Sequence, residues 1–435
     1  MIARLKIDNF KSLKGIDIQL GPMNFVVGPN ASGKSNLAEA LDFISHAVRE
    51  DLAYAVAEKG GFYNICHRRQ RRARGAISFV VEATIQRRND VCDFRLSFQL
   101  KTKGEDIRAD FFVASEELTI KLKPKDQQSA DNITLNIWRQ ENKYDLKLEQ
   151  NLPQGSKLST SQNNFVKKFE ALKGFLTDSV EPSPQQLFIS DFLKQFWPIS
   201  MVAQELQGLR VFQLNPRLAR QPAAPSVHGD LGRRGENLAS ALDRMRLHEE
   251  KNFRTLCNWL RDVVPTVGNL LTNYTETRQL GLFFEEEGFG SRWFAEDVSD
   301  GTIMSVALFF ALLDRRHKNI VIEEPETSLH PWILRKFLER CREQSQRCQI
   351  LITTHSPLAI AQARPDELFL IERTEGVTTL RRALEVESAL AEIIRKDLID
   401  LGQYWISGGL GAVPKVPEVN QGELFEEQDP KATSQ

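Results

Sequence analysis

The sequence is poor in cysteine, and the cysteines it has do not pair. Five of its 435 residues, Cys66, Cys92, Cys257, Cys341 and Cys348, are odd in number and scattered. No two form a C-x-x-C pair, which argues against a disulfide framework or a zinc site and fits a reducing, cytoplasmic setting. Charge of one sign is not in excess: Lys plus Arg number 57 against 58 Asp plus Glu, a formal net charge of -1. No global field draws the chain to nucleic acid or a membrane surface, so any nucleic-acid contact must come from a local patch. Long apolar runs are missing too. The longest, IMSVALFFALL at 303–313, is about half of what a bilayer span needs and predicts a buried helix with no membrane partner. The opening MIARLKIDNF lacks the apolar stretch of a signal peptide. Sustained heptads are absent, which excludes a long coiled-coil arm, and no internal repeat is found.

What is present is an ordinary globular balance, 41% hydrophobic and 26% charged. The length suits two or three domains, or one large domain with an insertion. In residues 1–125, ARLKIDNF and IDIQL alternate around KSLKG and predict a hairpin, while the continuously apolar MNFVVG predicts a buried strand. A glycine-bearing loop and the amphipathic helix SNLAEALDFISHAVRE follow. AISFVVEATI, VCDFRLSFQL, ADFFVAS and ELTIKLK then predict an antiparallel meander. Residues 126–200 are polar, glutamine-rich and punctuated by proline and glycine, and predict an inserted subdomain of weak strands and helices. In residues 201–385 the strand GLRVFQL precedes one long helix, ENLASALDRMRLHEEKNFRTLCNWLRDVV. LGLFFEEE, the helix at 303–313, NIVIEE, WILRKFLERCREQS and QILITT come next, an alternation that predicts a mainly parallel sheet. Residues 386–435 end in an acidic, proline-containing stretch expected to be a disordered tail.

VVGPNASGKSNLAEAL holds G-x-x-x-x-G-K-S at Gly28, Gly33, Lys34 and Ser35. Chance supplies this pattern in about 2% of chains this long, and its place between a predicted strand and a predicted helix lowers that further. The chemistry needs both flanks. Glycines let backbone N–H groups of the loop, Asn30, Ala31, Ser32 and Asn36 included, wrap phosphates at a helix N-terminus of partial positive charge. Lys34 then reaches the outer phosphates and the Ser35 hydroxyl takes a place on Mg²⁺. ATP and Mg²⁺ are the expected cofactors; the plain alternative is a glycine turn capped by a surface lysine.

Such a loop needs a second strand that ends in a carboxylate beside the metal, and NIVIEEPETSLHP at 319–331 offers two. Glu323 would accept from metal-bound water or touch the ion, and Glu324 would orient and deprotonate an attacking water. Glutamate in place of the usual aspartate at the first position adds one methylene, displacing a metal contact by up to about 1.5 Å. The reading expects the Lys34 loop and the twin acids to converge from neighbouring strands. The plain alternative is a strand ending in solvated acids.

The run I-E-E-P-E-x-x-L-H-P resembles the Walker B motif and following D-loop of ABC-type ATPases related to RecF and SMC. Its tandem glutamates resemble the overcoming-lysogenization-defect (OLD) family and its relatives in prokaryotic defence and repair. LKIDNFKSL is similar to the opening strand of that group, and the likeness covers about 1–120 and 200–385. It implies an α/β fold: a P-loop NTPase head of ABC type with a mainly parallel RecA-like sheet, an antiparallel β lobe and an inserted, partly helical subdomain. DVSDGTIMSVALFFALL resembles the ABC signature, with Ser299 and Gly301 just ahead of a helix. Hydroxyl, N–H and helix dipole there would face a γ-phosphate. The resemblance implies that this phosphate belongs to the opposite subunit, hence a homodimer or higher homo-oligomer of ATP-sandwiched heads; an N-cap is the plain alternative. His355 in QILITTHSP stands where the resemblance implies a switch histidine sensing the γ-phosphate, or else it is satisfied locally before a Ser-Pro helix start. His330 reads as a helix-start residue rather than a catalyst. Gln213 in VFQLNP is the candidate for a Q-loop, with an exposed strand residue as the alternative.

HRRQRRAR concentrates Arg68, Arg69, Arg71, Arg72 and Arg74. A solvated loop is the default reading; contact with a DNA or RNA backbone is the sharper one, since each arginine can fork onto phosphate oxygens. KLKPK at 121–125, Arg217 and Arg220 would extend that surface. Tyr404 and Trp405 in GQYWISGGLGAVP either close the domain or dock a partner. The resemblance to stand-alone defence ATPases implies a separate nuclease or TOPRIM-like effector protein. No D-x-D pair follows His355, so a fused nuclease domain is not expected. The reading is an ATPase using Lys34, Glu324 and His355, whose cycle gates a nucleic-acid-linked process in anti-phage defence or DNA repair. An ATP-switched scaffold and a transport-coupling subunit are its rivals.

Overall fold

Alternating apolar and polar residues build one sheet of the protein, and continuous apolar runs build another. The computed structural model describes residues 1–69, 72–73, 75–86, 90–104, 110–125, 132–140, 143–151, 160–179, 183–190, 196–226, 229–286, 288, 290, 292–387 and 400–412. Among them the strands are, in chain order, β1 (Ile2–Asp8), β2 (Ile16–Gln19), β3 (Met23–Val27), β4 (Arg68–Arg69), β5 (Arg72–Ala73), β6 (Ile77–Gln86), β7 (Asp90–Thr102), β8 (Phe111–Pro124), β9 (Asn132–Gln140), β10 (Lys143–Asn151), β11 (Leu209–Phe212), β12 (Val267–Tyr274), β13 (Leu280–Glu286), β14 (Arg292–Phe294), β15 (Asn319–Glu323), β16 (Gln349–Thr354), β17 (Leu368–Thr374) and β18 (Val377–Arg382).

The first sheet runs β10-β9-β8-β7-β6-β1-β2, antiparallel throughout. It contains the expected hairpin, with Ile7 opposite Ile16, and the expected meander. Two expectations are corrected. ADFFVAS and ELTIKLK form the single strand β8, which carries one extra residue, Ala114, where Gln99 pairs with Ser115 and Leu100 with Val113. The polar stretch after residue 125 does not stand wholly apart, because β9 and β10 extend the sheet before the helices Thr160–Ser179 and Ile199–Gln207. Ile133, Leu135 and Ile137 are buried on one face. That period of two lay hidden under a polar average composition.

The second sheet runs β11-β15-β16-β3-β17-β18, parallel except for the edge pair β17-β18. Parallel sheets need cover on both faces, and two cores supply it. Val26, Val321 and Leu351 face a core shared with the antiparallel sheet and the helix Lys34–Arg49. Phe25, Ile320, Ile322, Ile350 and Ile352 face the other, with the helices Leu238–His248, Glu250–Val263, Asp300–Leu313 and Pro331–Gln344. In the first core Phe10, Phe43, Phe79 and Phe98 pack ring on ring at 5.1 to 5.6 Å, tying the helix after the glycine loop to the meander. The one long helix expected over 236–264 is two, broken at Glu249, whose φ is -134°. Buried Arg244 reaches across the break to Glu249 at 2.8 Å and to Asp314 at 3.0 Å.

Strands β12-β13-β14 form a small antiparallel sheet just ahead of the helix Asp300–Leu313. The helix Leu401–Ile406 packs on Pro357–Ala361, with Trp405 buried and the Gly402 backbone against the Pro357 carbonyl. Trp405 therefore closes the domain, as the plainer expectation had it. The expected tail, 413–435, lies outside the described residues. Among the described residues no helix is long and apolar enough to cross a membrane.

Candidate functional site

The loop after β3 is shaped by close approaches that only glycine permits. A Cβ on Gly28 would run into the backbone carbonyl of Ile371, and one on Gly33 into the Thr378 side chain; Gly33 also has φ +111°. Ala31 takes a left-handed conformation at φ 62°. Thr378 locks the loop by donating to the Ser32 carbonyl at 2.9 Å. Ser12, from the opening hairpin turn, bonds Thr378 at 2.7 Å and accepts from Asn36 at 2.6 Å. The helix Lys34–Arg49 starts on Gly33 with no side-chain cap, so its first-turn N–H groups remain available to an anion. Asn30 and Ser35 are exposed, and the buried Ser32 hydroxyl oxygen has no partner. Beside the helix start lies a cavity of about 600 Å³ lined by Lys11, Ser12, Asn36, His67 and Arg373 among others.

Lys34 is 5% exposed and bends over its own loop, donating to the carbonyls of Gly28 at 2.9 Å and Pro29 at 3.1 Å. Burial lowers its pKa from the ordinary lysine value, against the pull of Glu324 and Glu326. The twin acids do not come from the strand next to β3. β16 lies between β3 and β15, which corrects the expectation of neighbouring strands and puts the two ends about 10 Å apart. Side chains close that gap. Glu324 leaves β15 with φ 46°, and its Oε1 stands 3.8 Å from Lys34 Nζ and 3.6 Å from Nδ1 of His355, which follows β16. Lys34, Glu324 and His355 therefore share one spot.

Two residues that contact the candidate site were missed by the sequence reading. Glu326 accepts from the Thr354 hydroxyl at 2.7 Å and the His355 N–H at 3.0 Å, and its Oε1 is 3.4 Å from His355 Nδ1. Its Oε2 is buried without a partner. The third acid of E-E-P-E was its signal. Arg233 donates to Glu323 Oε1 at 2.8 Å and to Asp42 Oδ2 at 3.1 Å. Glu323, 2% exposed, thus directs its carboxylate to an arginine. Burial alone would raise the Asp42 pKa, but Lys59, His46 and Arg233 outweigh it and hold the group below its ordinary value. Nothing local in LGRRGEN marked Arg233 out.

The oxygen donors of Ser35, Glu324 and Glu326 suit a hard cation such as Mg²⁺, and the unpartnered Glu326 Oε2 is the observation that favours one. Glu323 fits less simply, since Arg233 already holds it. Asp42, His46 and Glu58 also bring ligand atoms within 4.8 Å of one another. Lys59 lies at 2.7 Å from Asp42 and 3.8 Å from Glu58, so that cluster is already compensated.

Ser299 N-caps the helix Asp300–Leu313 and accepts from the Thr302 N–H at 3.2 Å. Gly301 lies against the Ser328 carbonyl, where a Cβ would come within 3.1 Å. Arg220 secures this turn, donating to the carbonyls of Ala295 at 3.1 Å and Val298 at 2.7 Å and pairing with Asp300 at 2.5 Å. It is thereby committed to this turn rather than to the basic surface considered for it. Among the described residues no hydrogen bond or ion pair joins Ser299 or Gly301 to Lys34, Glu324 or His355. Gln213 is exposed just past β11, with its N–H on the Arg233 carbonyl at 2.9 Å. His330 accepts from the Trp332 N–H at 3.2 Å and starts the helix Pro331–Gln344. Of the arginine cluster, Arg68, Arg69 and Arg72 lie in the short pair β4-β5; Arg71 and Arg74 lie outside the described residues. Lys123 pairs with Asp93 at 2.8 Å.

Residues 23–361 match the family described as "AAA domain, putative AbiEii toxin, Type IV TA system". The OLD nuclease of Thermus scotoductus is 25% identical over 401 residues, 90% of this chain and 66% of that protein. The DNA replication and repair protein RecF of Haemophilus ducreyi is 48% identical over 46 residues, 10% of this chain and 13% of that one. The chain therefore spans somewhat under two thirds of the first relative and a small part of the second. Among solved structures, an SMC head bound to the C-terminal winged-helix domain of ScpA matches at 15% identity and TM-score 0.45, covering 87% of this chain and 97% of that one. The SMC head domain from Thermotoga maritima matches at 13% identity and TM-score 0.37, covering 88% and 98%. With its glycine loop, parallel sheet and matched span, the chain belongs to this AAA-domain family and carries the fold of an ABC-type P-loop ATPase head.

Proposed function

We propose that this chain hydrolyses ATP with Mg²⁺ and that its ATP-bound heads pair across two nucleotides. The observation that carries the reading is the approach of Glu324 to Lys34 at 3.8 Å and to His355 at 3.6 Å, beside an uncapped helix N-terminus. Lys34 exchanges the Gly28 and Pro29 carbonyls for phosphate oxygens, and the loop N–H groups fix the remaining charge. Ser35 and the acids opposite it would hold the cation, which supplies charge neutralisation when bound. Glu324, pointing out of its strand, aligns the attacking water and takes its proton. His355 reads the terminal phosphate from a position fixed by Glu326. Ser299 and Gly301 of a second copy complete the shell in this reading.

The cycle gates a nucleic-acid-linked process, in our reading anti-phage defence with a separate nuclease as effector; DNA repair is the alternative. The similarity to an OLD nuclease and to the DNA replication and repair protein RecF supports the nucleic-acid link, and the family match supports the defence reading. The arginines at 68–74 supply the backbone contact. The test is phosphate release by wild type and Glu324→Gln, with sizing in ATP and Mg²⁺. Release is expected to fall about 100-fold or more in the variant, which accumulates as a nucleotide-bound dimer. Equal, slow release from both proteins would contradict hydrolysis and favour an ATP-switched scaffold, a second reading that the Arg233 hold on Glu323 supports.

A further inference from the structure

We infer that Arg233 competes with the divalent cation for Glu323 and so sets how much cation the site needs to hold nucleotide. The inference rests on the nucleotide-site reading and concerns a residue outside the motifs that define the site. Glu323 ends β15 in register with Thr353 of β16 and, through it, with Val26 just ahead of the phosphate loop, and its side chain is 2% exposed. A carboxylate so buried requires compensation. The structure provides it from one guanidinium, which bridges Glu323 at 2.8 Å and Asp42 at 3.1 Å. Asp42 lies two turns along the helix that begins with Lys34 and Ser35, and is itself anchored by Lys59 at 2.7 Å.

Arg233 is placed by backbone as well as by charge. Its carbonyl accepts from the Gln213 N–H at 2.9 Å, and the Arg234 carbonyl accepts from Asn215 at 3.0 Å. The segment is thus tied to the chain leaving β11, the strand next to β15. The guanidinium is consequently held against both acids, and a cation that draws on the Glu323 carboxylate must displace a positive charge already there. Aspartate in that position would be one methylene shorter, and the extra reach of Glu323 is what brings its oxygen to Arg233. Arg233 is a positioning residue in this account, since it acts through Glu323.

The test uses the full chain and a fluorescent ATP analogue, with binding measured at equilibrium in EDTA and across a Mg²⁺ titration. Arg233→Gln is expected to lower the Mg²⁺ concentration that gives half-maximal analogue binding about tenfold, as loss of one charge-assisted contact implies. Binding in EDTA is expected to stay within about twofold of wild type. In the Glu323→Gln background the Arg233→Gln substitution should no longer shift the titration. Arg233→Lys keeps the charge but cannot bridge both acids, and is expected to shift the titration in the same direction by less. It carries the test if Arg233→Gln fails to fold. An unchanged or raised Mg²⁺ requirement in the folded variant overturns the inference. Wild type that fails to bind the analogue under any condition overturns the nucleotide-site reading instead.

Discussion

Two adjacent glutamates acquire unlike surroundings because the strand ends between them. Glu323 is the last residue of β15 and stays buried; Glu324, at φ 46°, turns out of the ladder toward Lys34. A left-handed conformation costs a residue with a Cβ about 1 kcal/mol, a strain that persists where surrounding structure enforces it. The Glu324 N–H on the Thr353 carbonyl at 2.8 Å is part of that enforcement. Glu326 holds the other side of the spot through Thr354 and His355. Glu326→Gln is expected to reduce ATP turnover about tenfold. Added to His355→Ala it should cost little more, because both changes disable the same unit. Full additivity in a double-mutant cycle of turnover rates would contradict that role. That Glu324 would approach Lys34 was legible because tandem acids ending an apolar strand in a chain with a glycine-lysine loop have few other uses. Glu326 was not, since its partners lie 28 and 29 residues on.

At the scale of elements, the active spot is built by three strand ends rather than two. β3 delivers the loop, β15 the acids, and β16, lying between them, delivers His355. A carboxylate and a lysine side chain have the combined reach to cross one intervening strand, which is why Glu324 approaches Lys34 despite the gap. The Ser299 turn depends on a different clamp, Arg220 on Ala295, Val298 and Asp300. Arg220→Ala is expected to weaken ATP-dependent pairing of the Glu324→Gln protein about tenfold without changing ATP binding to the single head. Sizing against protein concentration reads the first and analogue titration the second; unchanged pairing would contradict the role given to that turn. Strong periodicity made most elements readable in advance. Those misread were decided by distant contacts. β9 and β10 are stabilised by an antiparallel edge offered by β8, and the helix break at Glu249 by a buried arginine that also binds Asp314.

Across the whole molecule, the parallel sheet separates two packed layers. The helix that starts at Lys34 belongs to one core and the helix that starts after Ser299 to the other. In our reading, a second copy of the head supplies the signature turn to the phosphates that the first copy holds. The α/β architecture and the phosphate loop were legible from strand–loop–helix order. The Arg233 bridge was not, because it joins Asp42, Arg233 and Glu323 from three separate parts of the chain. The central claim is that the Lys34 loop and Glu324 act on a single triphosphate. A crystal structure of Glu324→Gln grown with ATP and Mg²⁺ measures this directly. The account predicts one nucleotide per head, its terminal phosphate within hydrogen-bonding reach of Lys34 and facing the side chains at 324 and 355. A nucleotide bound elsewhere, or a loop that still holds Lys34 on its own carbonyls at saturating ATP, would contradict it.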